Sequence, residues 1–268
     1  MTAEADGSGT RTEGQERTEG QERTEAGGAE VPGWLRALAA GADEALRRGE
    51  LSWREQESAG ARPAAVLVLF GEGPQGPDVL LIERSAGLRR HASQPAFPGG
   101  AADETDTSRA ETALREAAEE VGVEPAGVQV LTTTSPHYLW ASHYLVSITI
   151  AWWRTPCEVA PVDLAETSFV SRVPLAELTD PANRLHVRTP SGRTTPAFRV
   201  HGLLVWGFTA GILDVLLRLG GFERPWTPAE AVDLPFPPRG PDPADAIATA
   251  EATTAVDADG VRPERDPT

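Results

Sequence analysis

Apolar positions along the chain follow two rhythms, and the expected elements come from them. Trp34, Leu35, Leu38, Ala42, Ala45 and Leu46 recur at helical spacing between Pro32-Gly33 and Gly49, which predicts a short amphipathic helix. Ala64 to Phe70 is a continuous apolar run that reads as a buried strand. A Gly- and Pro-rich loop from Gly71 to Asp78 leads to a second strand, Val79-Leu80-Leu81-Ile82, so the two predict a hairpin. Val128–Thr133 and Tyr144–Trp153 read as further strands, the latter rich in β-branched and aromatic residues. Ser168-Phe169-Val170 is short and β-like, Pro174 to Leu178 has room for one helical turn, and residues 196–200 are extended. From His201 to Leu219 the spacing of Leu204, Val205, Phe208, Ile212, Val215, Leu216 and Leu219 predicts a longer helix, ended by Gly220-Gly221. Strands mixed with helices and joined by connections of irregular length predict an α+β sandwich and not a regular doubly wound sheet.

The two ends lack either rhythm. T-E-G-Q-E-R at 12–17 recurs at 18–23, with a decayed third copy at Thr24-Glu25-Ala26-Gly27. A six-residue period with no fixed apolar position buries no face, so residues 1–30 are expected to be a disordered tail. After Trp226 the chain turns to Pro, Asp and Ala, and residues 227–268 are expected to be a second one. A single domain over 31–226, with its core at about 60–220, is the resulting expectation.

Composition changes this picture little. Hydrophobic residues at 40 % and seven Trp suffice for a core. Of the net charge of −16, the first tail holds −5 and the second −6, which leaves −5 for residues 31–226. The acidity therefore sits mostly in solvated tails and argues only weakly against nucleic acid or anionic membrane as partners. Cys157 is the sole cysteine, which excludes an internal disulfide and a cysteine-rich zinc site. With no basic-then-apolar leader and no run of ~18 apolar residues, the expectation is a cytoplasmic protein with neither membrane nor nucleic acid as partner.

The candidate chemistry lies in Phe97 to Val123. A Pro-Gly-Gly turn leads into an Asp/Thr/Ser-rich segment, then a helix over about 108–121 that stops at Gly122. Asp106, Thr107 or Ser108 can cap its start. Glu116 and Glu120, four apart, share a face, with Glu119 one row over. Three crowded carboxylates repel one another, and a hard divalent cation is the natural compensation. Gly99-Gly100 permits close backbone approach to such a cation, and Arg115 can hold a carboxylate by a bidentate hydrogen bond. That set fits metal-assisted phosphoryl chemistry, although R-E-x-x-E-E by itself is usually a solvated helix face.

As a whole, Gly100-x5-Asp106-x8-Arg115-Glu116-Ala117-x-Glu119-Glu120-x-Gly122-Val123 resembles the Nudix box, G-x5-E-x7-R-E-U-x-E-E-x-G-U with U bulky and aliphatic. The chain departs from it by one extra residue before Arg115, by Asp106 in place of Glu, and by a small Ala117 at a U position. Immediately upstream, Leu80-Leu81-Ile82-Glu83-Arg84-Ser85, Arg89, Ser93 and Phe97-Pro98-Gly99-Gly100 resemble L-L-x-x-R-S-x3-R-x3-G-x3-F-P-G-G of the coenzyme A pyrophosphatase branch, with Ser93 where Gly is usual. The resemblance implies an α/β/α sandwich with a mixed sheet and a Mg2+- or Mn2+-dependent hydrolase that splits CoA or acyl-CoA to 3′,5′-ADP and (acyl-)4′-phosphopantetheine. It makes Glu116 and Glu120 the main metal ligands, Glu119 a further ligand or the residue that activates water, and Arg115 the group that orients the glutamates. Gly99 and Gly100 would shape the metal loop, and Arg84 and Arg89 are candidates for the substrate phosphates, with surface ion pairing as the alternative. Glu166 would be an extra acid near the metal, or an ordinary exposed glutamate. NADH, ADP-ribose or another nucleoside diphosphate derivative is the alternative substrate, and a non-catalytic nucleotide-binding module the alternative class.

Overall fold

The computed structural model describes residues 29–48, 60–87, 93–139, 142–189, 192–227 and 231–234. Most of both expected tails, 1–28 and 235–268, lies outside these residues. In chain order the elements are α1 (Gly33–Arg47), β1 (Arg62–Gly73), β2 (Gly76–Arg84), β3 (Pro95–Ala96), β4 (Gly99–Ala101), α2 (Arg109–Val121), β5 (Val128–Thr133), β6 (His137–Leu139), β7 (Tyr144–Trp153), β8 (Thr167–Pro174), α3 (Leu175–Leu178), β9 (Arg184–Arg188), β10 (Thr194–Val200), β11 (Leu203–Val205), α4 (Gly207–Leu219) and β12 (Val232–Asp233).

The main sheet runs β3-β2-β1-β7-β5, with β4 beside β1, β6 beside β7 and β8 beside β2. β1 and β7 pair in parallel from Arg62↔Tyr144 to Phe70↔Trp152, whereas β1–β2, β1–β4 and β5–β7 are antiparallel, so the sheet is mixed. Period-two alternation sorts its side chains onto two faces. Val68, Phe70, Val79, Leu81, Ile148, Ile150 and Trp152 face α1 and α4 in one core. Ala65, Leu67, Leu69, Leu80, Ile82 and Trp153 face Ala113, Ala117 and Val121 of α2 in the other. Burial on both faces explains why the central strands read as unbroken apolar runs. This is the expected α/β/α sandwich.

A second sheet, β11-β10-β9-β12, joins the first core through Phe198, Val200, Leu203 and Val205. Arg184 fixes it to α4: its buried guanidinium pairs with Asp214 and lies over the rings of Phe198 and Trp226. A chain of hydrogen bonds from Ser171 Oγ to His201 Nδ1 (2.6 Å) and from His201 Nε2 to Glu177 (3.2 Å) links β8, the β10–β11 turn and α3.

Two expectations need correction. The last helix starts at Gly207, not His201, because His201 and Gly202 both take positive φ (51° and 79°) and make a two-residue hairpin turn that pairs Val200 with Leu203. Gly99-Gly100 is not a turn but strand β4, paired to Ala65 and Val66. At the margins of the domain, the Ala29 carbonyl accepts from Trp152 Nε1 (2.9 Å), and Val232–Asp233 pairs with Val187 and Arg188.

Ala117, small where the Nudix pattern is bulky, is fully buried in the core that also holds Trp153. Extra methylenes there must displace packed neighbours. Ala117→Ile is expected to lower stability by about 1–3 kcal/mol, read from chemical denaturation midpoints.

Candidate active site

Helix α2 is fixed in phase at both ends. The Ser108 hydroxyl accepts from Glu111 N (3.1 Å), and the Glu111 carboxylate accepts from Thr107 N (2.7 Å), a capping box that reaches one residue further back than usual. Gly122 closes the helix in the left-handed region (φ 75°). The faces of Arg115, Glu116, Glu119 and Glu120 are thereby set.

Arg115 is the hub. Its Nε and Nη2 grip Asp106 bidentately (3.0 and 3.1 Å), while Nη2 also reaches Glu116 (3.0 Å) and the Ala101 carbonyl (3.0 Å), and Nη1 reaches Glu119 (2.8 Å). Asp106, with a side chain only 3 % exposed, is held well below the usual carboxylate range by this grip. The extra residue before the helix is taken up in a turn in which Asp103 accepts from Thr105 N (2.9 Å) and Asp106 accepts from Asp103 N (2.9 Å). Asp106 thus serves Arg115.

Glu116 packs directly on Gly100: a Cβ there would fall 2.5–2.6 Å from its carboxyl atoms. A side chain on Gly99 would meet Ala65 O and Val66, so both glycines are required by close approach. Glu120 is 6 % exposed and accepts from Gly99 N (3.0 Å) and, at 3.4 Å, from Arg84 Nη1. Burial pushes the Glu120 carboxyl up to about 7; Glu116 and Glu166 add to the rise, while Gly99 N–H and Arg84 oppose it. Burial raises Glu116 too, against the pull of Arg115. Glu119 is 59 % exposed at the rim.

Glu116, Glu120, Arg84, Gly99, Gly100 and Arg115 therefore converge. Glu166 is close enough to act on Glu120 electrostatically, and its carbonyl accepts from Ser85 N (2.9 Å). Arg89 lies outside the described residues. His137 is buried in β6, His143 sits in the following turn with Nδ1 2.9 Å from the Tyr138 hydroxyl, and Trp152 and Trp153 are core residues. One feature went unseen in the sequence: buried Ser85 ties strand β2 to the loop after β7, a role that only the S of the L-L-x-x-R-S pattern hinted at. Ser93, marked in the sequence as standing at the glycine position of that pattern, adopts φ 56°.

Hard carboxylate oxygens on buried Glu120 and part-buried Glu116, whose charge adds to the rise of the Glu120 pKa, form a donor set that suits Mg2+ or Mn2+. Among the described residues no group of three or more His, Cys, Asp or Glu is placed to hold a metal ion by itself. The set fits a cation held by one or two carboxylates and completed by substrate oxygens and water.

Comparison with known proteins gives the family. The NUDIX domain family matches residues 60–194. Uncharacterized Nudix hydrolase NudL of Escherichia fergusonii is 38 % identical over 178 residues, 62 % of this chain and 86 % of the relative. NudL of Cronobacter sakazakii is 38 % identical over 186 residues, 63 % and 88 % of the two chains. The crystal structure of RenU, a Nudix hydrolase from M. smegmatis, aligns with 48 % of this chain and 82 % of its own at 25 % identity and a TM-score of 0.39. Fold and motif define a Nudix-type pyrophosphohydrolase. The chain belongs to the Nudix hydrolase family, whose members generally use divalent cations and act on small nucleotide substrates. Among the described residues no helix is long and apolar enough to cross a membrane.

Two outcomes are expected. Because the folded pKa of Glu120 lies above its ordinary 4.5, its contribution to stability is whole below that value and is lost as pH rises through about 7. In chelator, the melting temperature of the native protein should fall relative to Glu120→Gln between pH 5 and 8, and Mn2+ affinity by calorimetry should weaken about tenfold per pH unit below 7. Ser93→Gly should match or exceed the native protein in stability by up to about 1 kcal/mol, since it removes a left-handed serine, and Ser93→Val should lose at least as much.

Proposed function

We propose that the protein is a Mg2+- or Mn2+-dependent hydrolase of the pyrophosphate bond of CoA or acyl-CoA, releasing 3′,5′-ADP and (acyl-)4′-phosphopantetheine. The observation that carries this reading is the contact between Arg84 and Glu120. Arg84 belongs to the upstream CoA-type pattern and Glu120 to the acidic helix, so the two patterns serve one site.

Glu116 and Glu120 hold the cation, which when bound neutralises phosphate oxygens and favours attack by water. Arg115 keeps Glu116 and Glu119 aimed, and Asp106 keeps Arg115 in place. Glu119, more exposed than the other two, is the further ligand or the acceptor of the proton from water. Arg84, an always-charged planar fork, is free to shift from its long contact with Glu120 onto a phosphate. Arg89 is assigned to the substrate phosphates with it, and Gly99 and Gly100 keep side chains out of the space beside the carboxylates.

Mass analysis of products from CoA, acyl-CoAs, NADH and ADP-ribose, with Mg2+ or Mn2+ varied, tests the reading. CoA compounds should give 3′,5′-ADP, and Glu120→Gln should lower kcat by at least about a hundredfold while the protein stays folded. Preferred cleavage of NADH or ADP-ribose would move the assignment to another nucleoside diphosphate derivative. An intact panel with tight calorimetric binding would replace the enzyme by a binding module.

A further inference from the structure

Helix α2 carries Glu120, strand β2 carries Arg84, and the loop from Arg154 to Glu166 is tied to both. On the helix side Cys157 Sγ donates to Gly122 O (3.6 Å), Ala160 N to Val121 O (3.3 Å) and Val162 N to Glu120 O (3.0 Å), which satisfies carbonyls that a helix end leaves without partners. On the strand side Ser85, 6 % exposed and next to Arg84, fastens the loop twice: its Oγ donates to Leu164 O (2.5 Å) and its N to Glu166 O (2.9 Å). Between the two attachments Asp163 closes a turn, accepting from Ala165 N at its side chain (2.8 Å) and from Glu166 N and Thr167 N at its carbonyl (3.1 and 2.9 Å).

This turn ends on Glu166, whose charge joins that of Glu116 in raising the Glu120 carboxyl. Like charges repel, so Glu166 stays beside Glu120 because its backbone is held there. The β2–β8 ladder does not hold it alone. Its register slips between Glu83 and Arg84, which face Phe169 and Thr167 and leave Ser168 as a bulge. Past the bulge the bonds of Ser85 continue the pairing, and the one made by the hydroxyl reaches back to Leu164, two residues before the acid. That hydroxyl is spent on a backbone carbonyl, so it acts on the site through the loop. It sets how far the turn, and Glu166 with it, stands from Glu120.

We propose that Ser85 is a positioning residue of the hydrolase: by fastening the loop after β7 it holds Glu166 beside Glu120, where the added negative charge strengthens the cation site. This rests on the cation site assigned to Glu116 and Glu120 above and not on which diphosphate is cleaved.

The test is a double-mutant cycle of the native full chain, Ser85→Ala, Glu166→Gln and Ser85→Ala/Glu166→Gln. Mn2+ affinity is read by calorimetry at one fixed pH, kcat is measured alongside, and folding is checked by circular dichroism. Glu166→Gln should weaken Mn2+ binding about tenfold, Ser85→Ala by a comparable factor, and the double variant no more than Glu166→Gln alone. A merely structural serine would lower the melting temperature in both backgrounds and leave the Mn2+ affinity of the folded protein unchanged. Native Mn2+ affinity in either single variant, or a double-variant loss equal to the product of the two single losses, overturns the positioning role and leaves the proposed function standing. If Ser85→Ala does not fold, Asp163→Ala, which loosens the same turn from its exposed side, takes its place in the cycle with the same outcomes. A native protein that binds no Mn2+ overturns the cation site and the positioning role together.

Discussion

The grip of Arg115 on Asp106 is the contact from which the rest of the site takes its geometry. One guanidinium spends two donors on a carboxylate from the preceding turn and the others on a strand carbonyl and two helix glutamates. Its fork has a fixed shape, so once Asp106 and Ala101 anchor it, Glu116 has one place to go. That place is against Gly100, where no side chain stands. Its charge offsets part of the repulsion among the helix acids, with Arg84 adding to this at Glu120.

Glu120 is held by different means. It is buried by packing and receives Gly99 N–H and a stretched contact from Arg84. One carboxylate is therefore positioned by an ion-pair network, the other by burial and a backbone N–H. The pKa directions follow the same division, with Asp106 lowered by its arginine and Glu120 raised by burial.

Much of this was legible in the sequence because the strongest signals are local. Helix α2, with Ser108 and Gly122 at its ends, falls where capping residues and spacing put it, and β5 and β7 match their expected bounds. The hairpin of β1 and β2 was also visible, although the strands extend further into the loop than their apolar cores. What was not legible depends on tertiary context. Leu203 to Val205 share the helical rhythm of α4, and only the positive φ values at His201 and Gly202 divert them into a strand. Strand β9 has arginine at both ends and too few apolar residues to declare itself; Arg184 is buried there by Asp214 and two rings. In the site, the helix periodicity grouped Glu116, Glu119 and Glu120, but not their unequal exposure. Nor could a one-dimensional pattern assign Asp106 to Arg115, or bring Ser85 to a loop about eighty residues away.

The parallel pairing of β1 with β7 has a kinetic consequence. Each matched pair is 82 residues apart, as in Arg62↔Tyr144 and Phe70↔Trp152, and every residue from β2 through the acidic helix lies inside the ring so closed. Closing a ring of that size costs chain entropy before any contact repays it. The contacts that gather the carboxylates, from Arg84 to Glu120, all span shorter stretches inside that ring, so the costly closure belongs to the sheet and not to the acidic motif it encloses.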